Sequence, residues 1–333
     1  MARASGEYKR LEEFLELLSR HEGYASGQFL AKKAGISRSA VWKQIRRLRQ
    51  CGYAIESLHG MGYRLASSTT YPVPWELAKA MRTAIVGRGR MVYRDNADST
   101  QTIAIALAEK HTDAAGAVVI AEQQSGGRGR MKRRWLSPRG GVWLSVVLKP
   151  GIPTATSTLL PFVAALAVCD AVRETTGLSA ALKWPNDVMI KGKKVAGILL
   201  DLSAEAETVN YAVIGIGINA NVDTSKIKID REGRPEITSL KEELGKDIDR
   251  LRLTATLLEK LEQFYLVLEK GGPAKIVAEW RRRSDMLGKK VSVVQQGRAE
   301  EGVAQDINDD GSLLLKTASG TVSIVSGDIH VSY

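Results

Sequence analysis

Apolar residues recur every three or four positions near the N-terminus, and this spacing predicts three short helices. The first helix is marked by Leu11, Phe14, Leu15 and Leu18. Ser26 can cap the second helix, Gly35 provides the positive φ of a tight turn, and Ser37 can cap the third. Alternating apolar and polar residues over 53–65 then predict a hairpin around Gly60 and Gly62.

Apolar runs alternate with helical patterns through the middle of the chain, from residue 71 to residue 285. Strands are predicted at residues 117–121, 142–148, 195–200 and 211–218. One helix is predicted over 161–175, with proline in its first turn and Gly177 after its end, and another over 254–268. Since strands and helices mix without strict alternation, the predicted fold class is α+β with a mixed sheet.

The last segment, residues 286–333, has short alternating runs separated by turn signals such as NDDG at 308–311. This pattern predicts a small SH3-like β barrel, whose role as a mere stabilising cap stays open. The polar, proline-punctuated residues 67–75 are typical of a linker. We therefore predict three domains, which cover residues 1–67, 71–284 and 285–333.

The chain of 333 residues carries a net charge of +11 and contains 44 % hydrophobic residues. A strongly basic globular protein favours polyanionic partners such as nucleic acid or nucleotide phosphates. Residues 1–67 hold twelve basic and six acidic residues, so they contribute +6 of this charge. The two cysteines, Cys51 and Cys169, predict no disulfide framework, which agrees with a reducing cytosol. We expect no secretory signal, no apolar run long enough to span a membrane and no zinc site.

A capped helix, a glycine turn and a basic helix in this order are typical of a helix-turn-helix, whose second helix enters the DNA major groove. With the following hairpin as a wing, this predicts DNA binding by Ser37, Arg38, Ser39, Trp42, Lys43 and Arg46. Arginine and lysine would mostly contact phosphates, whereas Ser39, Trp42 or Lys43 could reach base edges. An ordinary helical cap with a solvated basic face is the alternative at this point.

The sequence SGGRGRMKRRW at residues 125–135 combines three glycines with four arginines and one lysine. Glycine lets a backbone approach a ligand closely, and arginine forks match phosphate and carboxylate oxygens. We predict a mobile cationic loop that closes over an anion, and a solvated surface loop is the alternative. The loop lacks the Gly-Lys-Ser/Thr of a Walker A loop and the glycine pattern of a dinucleotide fingerprint.

Four polar clusters interrupt the apolar pattern of the middle segment: DSTQ at 98–101, EQQ at 122–124, KWPND with a later lysine at 183–194, and GIGIN at 215–219. Hydroxyls and amides at a helix start can hold a small polar ligand, although a plain N-cap also explains DSTQ. Asp187 beside Asn186 can hold Mg²⁺ or a ribose hydroxyl, and a lysine can neutralise a phosphoryl oxygen. Glycines within an apolar strand usually mark close backbone approach. Together with the cationic loop, the clusters predict a nucleotide-plus-ligand site.

The order and spacing of DST, GRGR, KWPND, the Lys194 segment and GIGIN resemble the motifs of biotin protein ligases. With the helix-turn-helix in front, essentially the whole chain is similar to the bifunctional ligases that also repress the biotin operon. The resemblance implies a central catalytic domain of the biotin/lipoate ligase type and a two-step reaction. Biotin and ATP form biotinyl-5′-adenylate and pyrophosphate, and a lysine of a carrier protein then takes the biotinyl group and releases AMP. The alternatives are a biotin-sensing repressor without ligase activity and a lipoate ligase.

The resemblance also implies roles for the residues that match the family motifs. Those implied to contact biotin are Ser99, Thr100, Gln101, Gln124, Arg128, Gly129, Arg130, Lys194 and Gly197. Those implied to contact the nucleotide are Arg130, Trp135, Lys183, Asn186, Asp187 and Asn219. Lys194, Arg130 and Lys183 are implied to be catalytic. Asp187 is the candidate Mg²⁺ ligand. Two departures are Gln101, where Asn is common, and MKRR at 131–134, which lacks the glycine of many relatives.

The implied ligands and partners follow from the same resemblance. ATP, biotin and Mg²⁺ are expected in the site, and a biotin carboxyl carrier protein is the expected acceptor. Operator DNA is the expected partner of the helix-turn-helix, which commonly needs a two-fold partner to span two half-sites. A ligand-linked homodimer is therefore expected. No membrane partner and a cytoplasmic location complete these expectations.

Overall fold

The N-terminal part of the molecule is the predicted helical segment with its hairpin. The computed structural model describes residues 6–227, 236–295 and 298–331. Its first elements are α1 (Gly6–Ser19), α2 (Gly27–Ala34), α3 (Arg38–Gln50) and the antiparallel strands β1 (Ala54–Leu58) and β2 (Gly62–Ser67). Ser26 and Ser37 cap α2 and α3 by accepting from backbone amides three residues further on, and Gly35 has a φ of 65° between them. The winged helix-turn-helix prediction is confirmed.

The linker that follows the wing is shorter than the predicted residues 67–75, because helix α4 (Pro74–Ala80) begins before residue 75. Proline is favoured in the first turn of a helix, and Val73 and Trp75 are buried. Trp75 Nε1 donates to the Tyr53 hydroxyl at 2.6 Å, so the indole joins the helix-turn-helix to the central segment. The linker prediction is wrong at this end, because Pro74 begins a helix whose apolar side chains are buried.

A mixed sheet with helices forms the middle of the molecule. In chain order its elements are β3 (Met91–Ala97), α5 (Thr100–Lys110), β4 (Val118–Gln124), β5 (Val142–Leu148), α6 (Thr154–Ser157), α7 (Leu160–Thr176), β6 (Ala181–Lys183), β7 (Asp187–Ile190), β8 (Lys193–Glu205), β9 (Thr208–Ile218), α8 (Leu240–Leu244), α9 (Arg250–Glu269) and α10 (Pro273–Arg283). The strand order is β3-β4-β5-β9-β8-β7-β6, and the β3–β4 pair is parallel. The predicted strands and both predicted helices are confirmed. Strands β4 and β8 extend beyond their apolar runs, which carries polar residues to one end of the sheet.

Helix α7 belongs to the buried core between the sheet and α9. By length and composition alone, residues 154–176 could cross a membrane, so the expectation that no apolar run reaches that length is wrong. In the structure, 78 % of the most apolar window of this segment is buried inside the protein. A helix that is apolar nearly all round is expected where neighbours cover it on most sides. Its composition is therefore explained by packing.

The C-terminal part is a small antiparallel sheet that packs against the central segment. Its strands are β10 (Lys290–Gln295), β11 (Arg298–Ile307), β12 (Leu313–Thr317), β13 (Gly320–Ile324) and β14 (Asp328–Val331). Within the described residues the strand order is β13-β12-β11-β10-β14. Trp184 Nε1 donates to the Gly311 carbonyl at 2.9 Å, and Arg281 pairs with Asp306 at 2.7 Å, so the barrel is fixed to the body. The predicted barrel is present, and the exact domain boundaries stay predictions.

Candidate functional site

A cavity of about 530 Å³ lies where the polar ends of the central strands meet the cationic loop and the C-terminal barrel. All residues predicted from the sequence for biotin, nucleotide or catalysis line this cavity: Ser99, Thr100, Gln101, Gln124, Arg128, Gly129, Arg130, Trp135, Lys183, Asn186, Asp187, Lys194, Gly197 and Asn219. Residues separated by more than a hundred positions are thus brought together. Their individual roles stay predictions.

A chain of buried hydrogen bonds fixes the polar groups at one end of the cavity. The Thr100 amide donates to Gln124 Oε1 at 2.8 Å, and the Thr100 hydroxyl lies 2.9 Å from the hydroxyl of Ser145. Ser145 donates to Gln101 Oε1 at 2.8 Å, and Gln101 Nε2 donates to Asp201 at 2.9 Å. The direction of each dipole is therefore set before a ligand enters. Sequence reasoning missed Ser145, whose only signal was a polar residue in the apolar run VWLSVVL.

The glycines of the site make room for two large side chains. Gly197 and Gly217 are partners across β8 and β9, and the Trp135 indole lies on both. A Cβ on Gly217 would lie 2.5 Å from Trp135 Nε1, and one on Gly215 would lie 2.5 Å from Gln101 Oε1. The expected close approach at GIGIN is thus a side-chain contact in this structure. The room at Gly197, which we expected to face biotin, is taken by Trp135.

Trp135 also meets the charged part of the cavity. Lys194 Nζ lies 5.0 Å from the centre of the Trp135 ring and 2.6 Å from Asp187 Oδ1. Within the described residues, the buried Trp135 Nε1 has no hydrogen-bond partner. An unpaired buried donor of this kind costs free energy. The indole therefore carries an unsatisfied donor that lies against Gly217 in this structure.

Several lysine and arginine side chains line the cavity, and burial disfavours their charged forms. Burial lowers the pKa of Lys183, while the nearby Asp187 carboxylate raises it and the Lys194 ammonium lowers it further. Burial also lowers the pKa of Arg130, against the charges of Asp328 and Asp187. Cations that are partly desolvated in this way bind an anion more strongly than exposed ones. The electrostatics therefore favour a polyanionic ligand.

The cationic loop is a backbone hydrogen-bonded hairpin in this structure. The Gly129 amide donates to the Arg133 carbonyl at 2.8 Å, and the Trp135 amide donates to the Gly127 carbonyl at 2.9 Å. Met131 and Lys132 at the tip have backbone φ values of 53° and 58°, which residues other than glycine rarely adopt. Lys132 thus takes a left-handed conformation within the stretch that lacks the family's glycine. Loop mobility stays a prediction.

The C-terminal barrel contributes residues that sequence reasoning missed. Asp328, Ile329 and His330 of β14 line the cavity. Arg133 holds both carboxylate oxygens of Asp328, with Nη1 at 2.9 Å from Oδ1. Burial alone would raise the pKa of Asp328, but hydrogen bonding and charge from Arg133 outweigh it and hold the pKa below its ordinary value. No local signal in the sequence could join residues so far apart.

Three predicted residues have structural partners as well as a place at the cavity. Asn219 is 3 % exposed, and its Nδ2 donates to the Thr238 carbonyl at 3.0 Å. Arg128 Nη2 donates to the Thr102 hydroxyl at 3.1 Å. Asn186 donates to a β8 carbonyl and accepts from Arg130 Nη1 at 3.4 Å. These contacts position the side chains before any ligand binds.

Glu122, from the same cluster as Gln124, lies apart from the cavity lining. Its carboxylate accepts from the Tyr93 hydroxyl at 2.9 Å and from Arg250 Nη2 at 2.9 Å. Arg250 also donates to the Gly141 carbonyl at 3.0 Å. Both members of the ion pair are almost completely buried. The pair therefore braces β4, whose last residue is Gln124.

The outer face of α3 presents the residues predicted to bind DNA. Arg38, Ser39, Trp42, Lys43 and Arg46 are exposed. The Trp42 side chain is 53 % exposed, and the Arg46 guanidinium lies 5.6 Å from its ring centre. The Ser37 hydroxyl is used as a helix cap and lies 2.9 Å from the Ser39 hydroxyl. These side chains are therefore accessible to a partner, as the predicted contact with DNA requires.

Comparisons with known proteins agree with this geometry. The profile of the biotin/lipoate A/B protein ligase family matches residues 93–219, an HTH domain profile matches 10–64, and a biotin protein ligase C-terminal domain profile matches 286–331. The chain is 35 % identical to the bifunctional ligase/repressor BirA of Bacillus subtilis, over 96 % of this chain and 98 % of that protein. It is 33 % identical to the biotin--[acetyl-CoA-carboxylase] ligase of Paracoccus denitrificans, over 70 % and 96 % of the two chains. The solved biotin protein ligase of Aquifex aeolicus in complex with biotin and ATP is 29 % identical, with a TM-score of 0.61, and covers 73 % of this chain and 98 % of that one.

Proposed function

Because the chain belongs to the family of bifunctional biotin ligases and biotin operon repressors, we propose that its cavity joins biotin to ATP. The protein then transfers the biotinyl group to a lysine of a biotin carboxyl carrier protein. The observation that carries the proposal is one cavity that unites a fixed polar pocket with six lysine and arginine side chains. A biotin carboxylate and a triphosphate repel each other, and such cations offset that repulsion.

In the first step, a carboxylate oxygen of biotin attacks the α-phosphorus of ATP. The bond from that phosphorus to the β-phosphate oxygen breaks, and pyrophosphate leaves. Lys194 is assigned to the carboxylate and the α-phosphate, because its ammonium is held at 2.6 Å from Asp187 inside the cavity. Lys183 and Arg130, whose pKa values burial lowers, are assigned to the phosphate oxygens.

In the second step, the neutral amine of a carrier lysine attacks the carbonyl carbon of biotinyl-5′-adenylate. An amide bond forms, the bond to the AMP oxygen breaks, and the amine releases a proton. A mixed anhydride is readily lost to water, so the site must exclude water between the two steps. The Gly127–Trp135 hairpin over the cavity is assigned this role, and its opening for substrates is part of the proposal.

The polar pocket is assigned to the biotin head and the glycine-lined strands to its chain. Thr100, Gln124 and Ser145 offer hydroxyl and amide groups of fixed direction, which suits a neutral ring with both donors and acceptors. Trp135 must then rotate off Gly197 and Gly217, where its unpaired Nε1 now lies. The remaining assignments of the sequence, including Gln101, Arg128, Gly129, Asn186 and Asn219, are retained as proposals.

Mg²⁺ is assigned to the ATP phosphates, with Asp187 as the nearest candidate carboxylate. Within the described residues, no group of three or more His, Cys, Asp or Glu side chains could hold a metal ion. Mg²⁺ commonly uses one or two carboxylates together with substrate phosphates, so a lone aspartate suits it. When bound, Mg²⁺ would neutralise phosphate charge. Asp187 would first have to share its carboxylate with Lys194.

The helix-turn-helix is assigned to operator DNA. Trp42 and Lys43 of α3 are exposed and are assigned to the major groove, and the exposed Arg38 and Arg46 are assigned to the phosphates. A second copy of the chain, recruited when the adenylate is bound, would present the second recognition helix. A cytoplasmic protein has access to both the carrier and the DNA.

One experiment separates the candidate activities. The full-length protein is mixed with ATP, Mg²⁺, a biotin carboxyl carrier domain and either biotin or lipoate, and the carrier is weighed by mass spectrometry. A gain of one biotinyl group supports the proposal. A lipoyl gain would make the protein a lipoate ligase, and biotin binding without any gain would leave a sensor. A mass gain in the absence of ATP would refute the adenylate mechanism.

A further inference from the structure

We propose that Asp328 of the C-terminal barrel is a positioning residue that clasps the cationic loop through Arg133 and keeps the reaction intermediate in the cavity. This inference rests on the proposed function for its second half only. The clasp itself joins two parts of the chain that are far apart in sequence. We name it the Arg133–Asp328 clasp.

The geometry of the clasp is specific. Arg133 Nη1 donates to Asp328 Oδ1 at 2.9 Å, and Nη2 donates to the other carboxylate oxygen, so the contact is bidentate. Bidentate arginine–carboxylate pairs are stronger and more directional than single contacts. Asp328 is the first residue of β14 and pairs with Val294 of β10, which fixes its backbone. The carboxylate is thus a rigid anchor for a loop.

The arginines of the loop divide their contacts. Arg128 reaches Thr102, and Arg130 is turned inward toward Asn186. Arg133 reaches across to the barrel, so its charge is already matched by Asp328. An acidic residue in a cavity for anions would repel them unless its charge were neutralised in this way. Asp328 therefore serves the loop rather than the ligand.

The loop has a reason to need an anchor. Met131 and Lys132 both adopt left-handed φ values at its tip. Residues other than glycine are strained in this region of backbone angles and persist there only when neighbouring contacts hold them. The hydrogen bond from the Gly129 amide to the Arg133 carbonyl closes the turn that contains these two residues, and the clasp holds Arg133 directly after them. Loss of the clasp should let the loop open more often.

The first test uses the ligand-free, full-length protein and needs no chemistry. Asp328→Asn keeps the size and shape of the side chain but removes its charge. All loop arginines remain as trypsin sites, so the rate of cleavage reports how often the loop opens. We expect cleavage within 128–134 to be about threefold to tenfold faster than in the unchanged protein, the range for a partly exposed bidentate pair. Asp328→Glu, which keeps the charge, should restore most of the protection.

A matched control is the ion pair between Arg281 and Asp306. It also joins the barrel to the body, at 2.7 Å, and its side chains are 36 % and 43 % exposed, against 43 % and 26 % for Arg133 and Asp328. Asp306→Asn should leave loop cleavage unchanged. Equal acceleration by both variants would show a general loosening of the barrel, and wild-type protection in Asp328→Asn would also overturn the clasp.

The second test follows the intermediate. In Asp328→Asn, biotinyl-5′-adenylate should leave the protein about threefold to tenfold faster, and its rate of formation should change by less than its rate of release. A general structural defect would slow formation at least as much as it speeds release. Equal retention by Asp328→Asn and the unchanged protein would overturn the second half of the inference. If the unchanged protein forms no adenylate, the proposed function fails, and the trypsin result decides the clasp alone.

Discussion

Lys194→Met is the substitution that most directly tests the proposed chemistry. The Lys194 side chain is 20 % exposed, and its ammonium lies between Asp187 and the ring of Trp135. A unit charge about 4 Å from a phosphoryl oxygen is worth roughly 4 kcal/mol at an effective dielectric constant near 20. The Asp187 carboxylate already neutralises part of the Lys194 charge, which reduces the interaction with the phosphate. We therefore expect a loss of about 2.7–4 kcal/mol of transition-state stabilisation, which is a 10²- to 10³-fold slower formation of adenylate.

The assay is pyrophosphate release with saturating ATP and biotin, before any carrier is added. The matched control is Lys193→Met on the same strand. Lys193 points to the opposite face, is 46 % exposed and pairs with the exposed Glu236. A surface ion pair of this kind contributes about 0–1 kcal/mol, so the control should stay within about fivefold of the unchanged protein. Thermal denaturation of both variants checks that each is folded.

Two results would refute the reasoning. A folded Lys194→Met protein that forms adenylate within about fivefold of the normal rate would remove Lys194 from the reaction. An equal loss in Lys193→Met would show that strand β8, rather than the ammonium group, is what the reaction needs. A higher KM for biotin with an unchanged kcat would mean that Lys194 binds the substrate and the transition state equally well.

Three further predictions follow from particular side chains. Lys183→Met should weaken ATP binding but raise the melting temperature, because burial lowers the pKa of Lys183 and makes its charged form costly in the folded state; in the unchanged protein the free energy of unfolding should rise with pH between that lowered pKa and about 10.4, and the variant should lack this rise. Glu122→Gln should cost about 3–5 kcal/mol in urea unfolding, because it leaves the buried Arg250 guanidinium without its anion; Glu56→Gln, which breaks an exposed ion pair, should leave the urea midpoint almost unchanged, and a similar shift in both would contradict the argument. Trp42→Ala should weaken operator binding about tenfold or more in a gel-shift titration and leave carrier labelling unchanged, whereas unchanged DNA binding would remove Trp42 from the interface.

A point substitution on α3 is a cleaner test of DNA binding than removal of residues 1–67. Tyr53 and Trp75 are stacked 6.5 Å apart, and the Tyr8 ring lies 6.0 Å from Trp75. Deletion would expose this buried aromatic contact on the central segment. A loss of labelling after deletion would therefore reflect packing as well as DNA binding.

Local sequence was sufficient for the elements predicted at 117–121, 142–148, 161–175 and 254–268 and for most of the site, although it missed helix α4, Ser145 and Asp328. Caps at Ser26 and Ser37, the turn at Gly35 and the strand-like run at 142–148 depend on residues a few positions apart. Polar clusters at strand ends predicted the cavity, because the ends of neighbouring buried strands lie close together at one end of the sheet. The cationic loop was recognisable for the same reason, since its charge and glycines are contiguous.

Contacts between distant residues needed the folded chain. Trp135 rests on Gly197 and Gly217 because strands β8 and β9 pair in one particular register, which no local pattern encodes. Asp328 reaches Arg133 only once the barrel has docked on the central segment. Local signals restrict backbone angles and decide which face is apolar, whereas these contacts depend on how several elements pack at once. Most residues that could bind an anion could therefore be predicted from the sequence, whereas their arrangement around the cavity depends on tertiary packing.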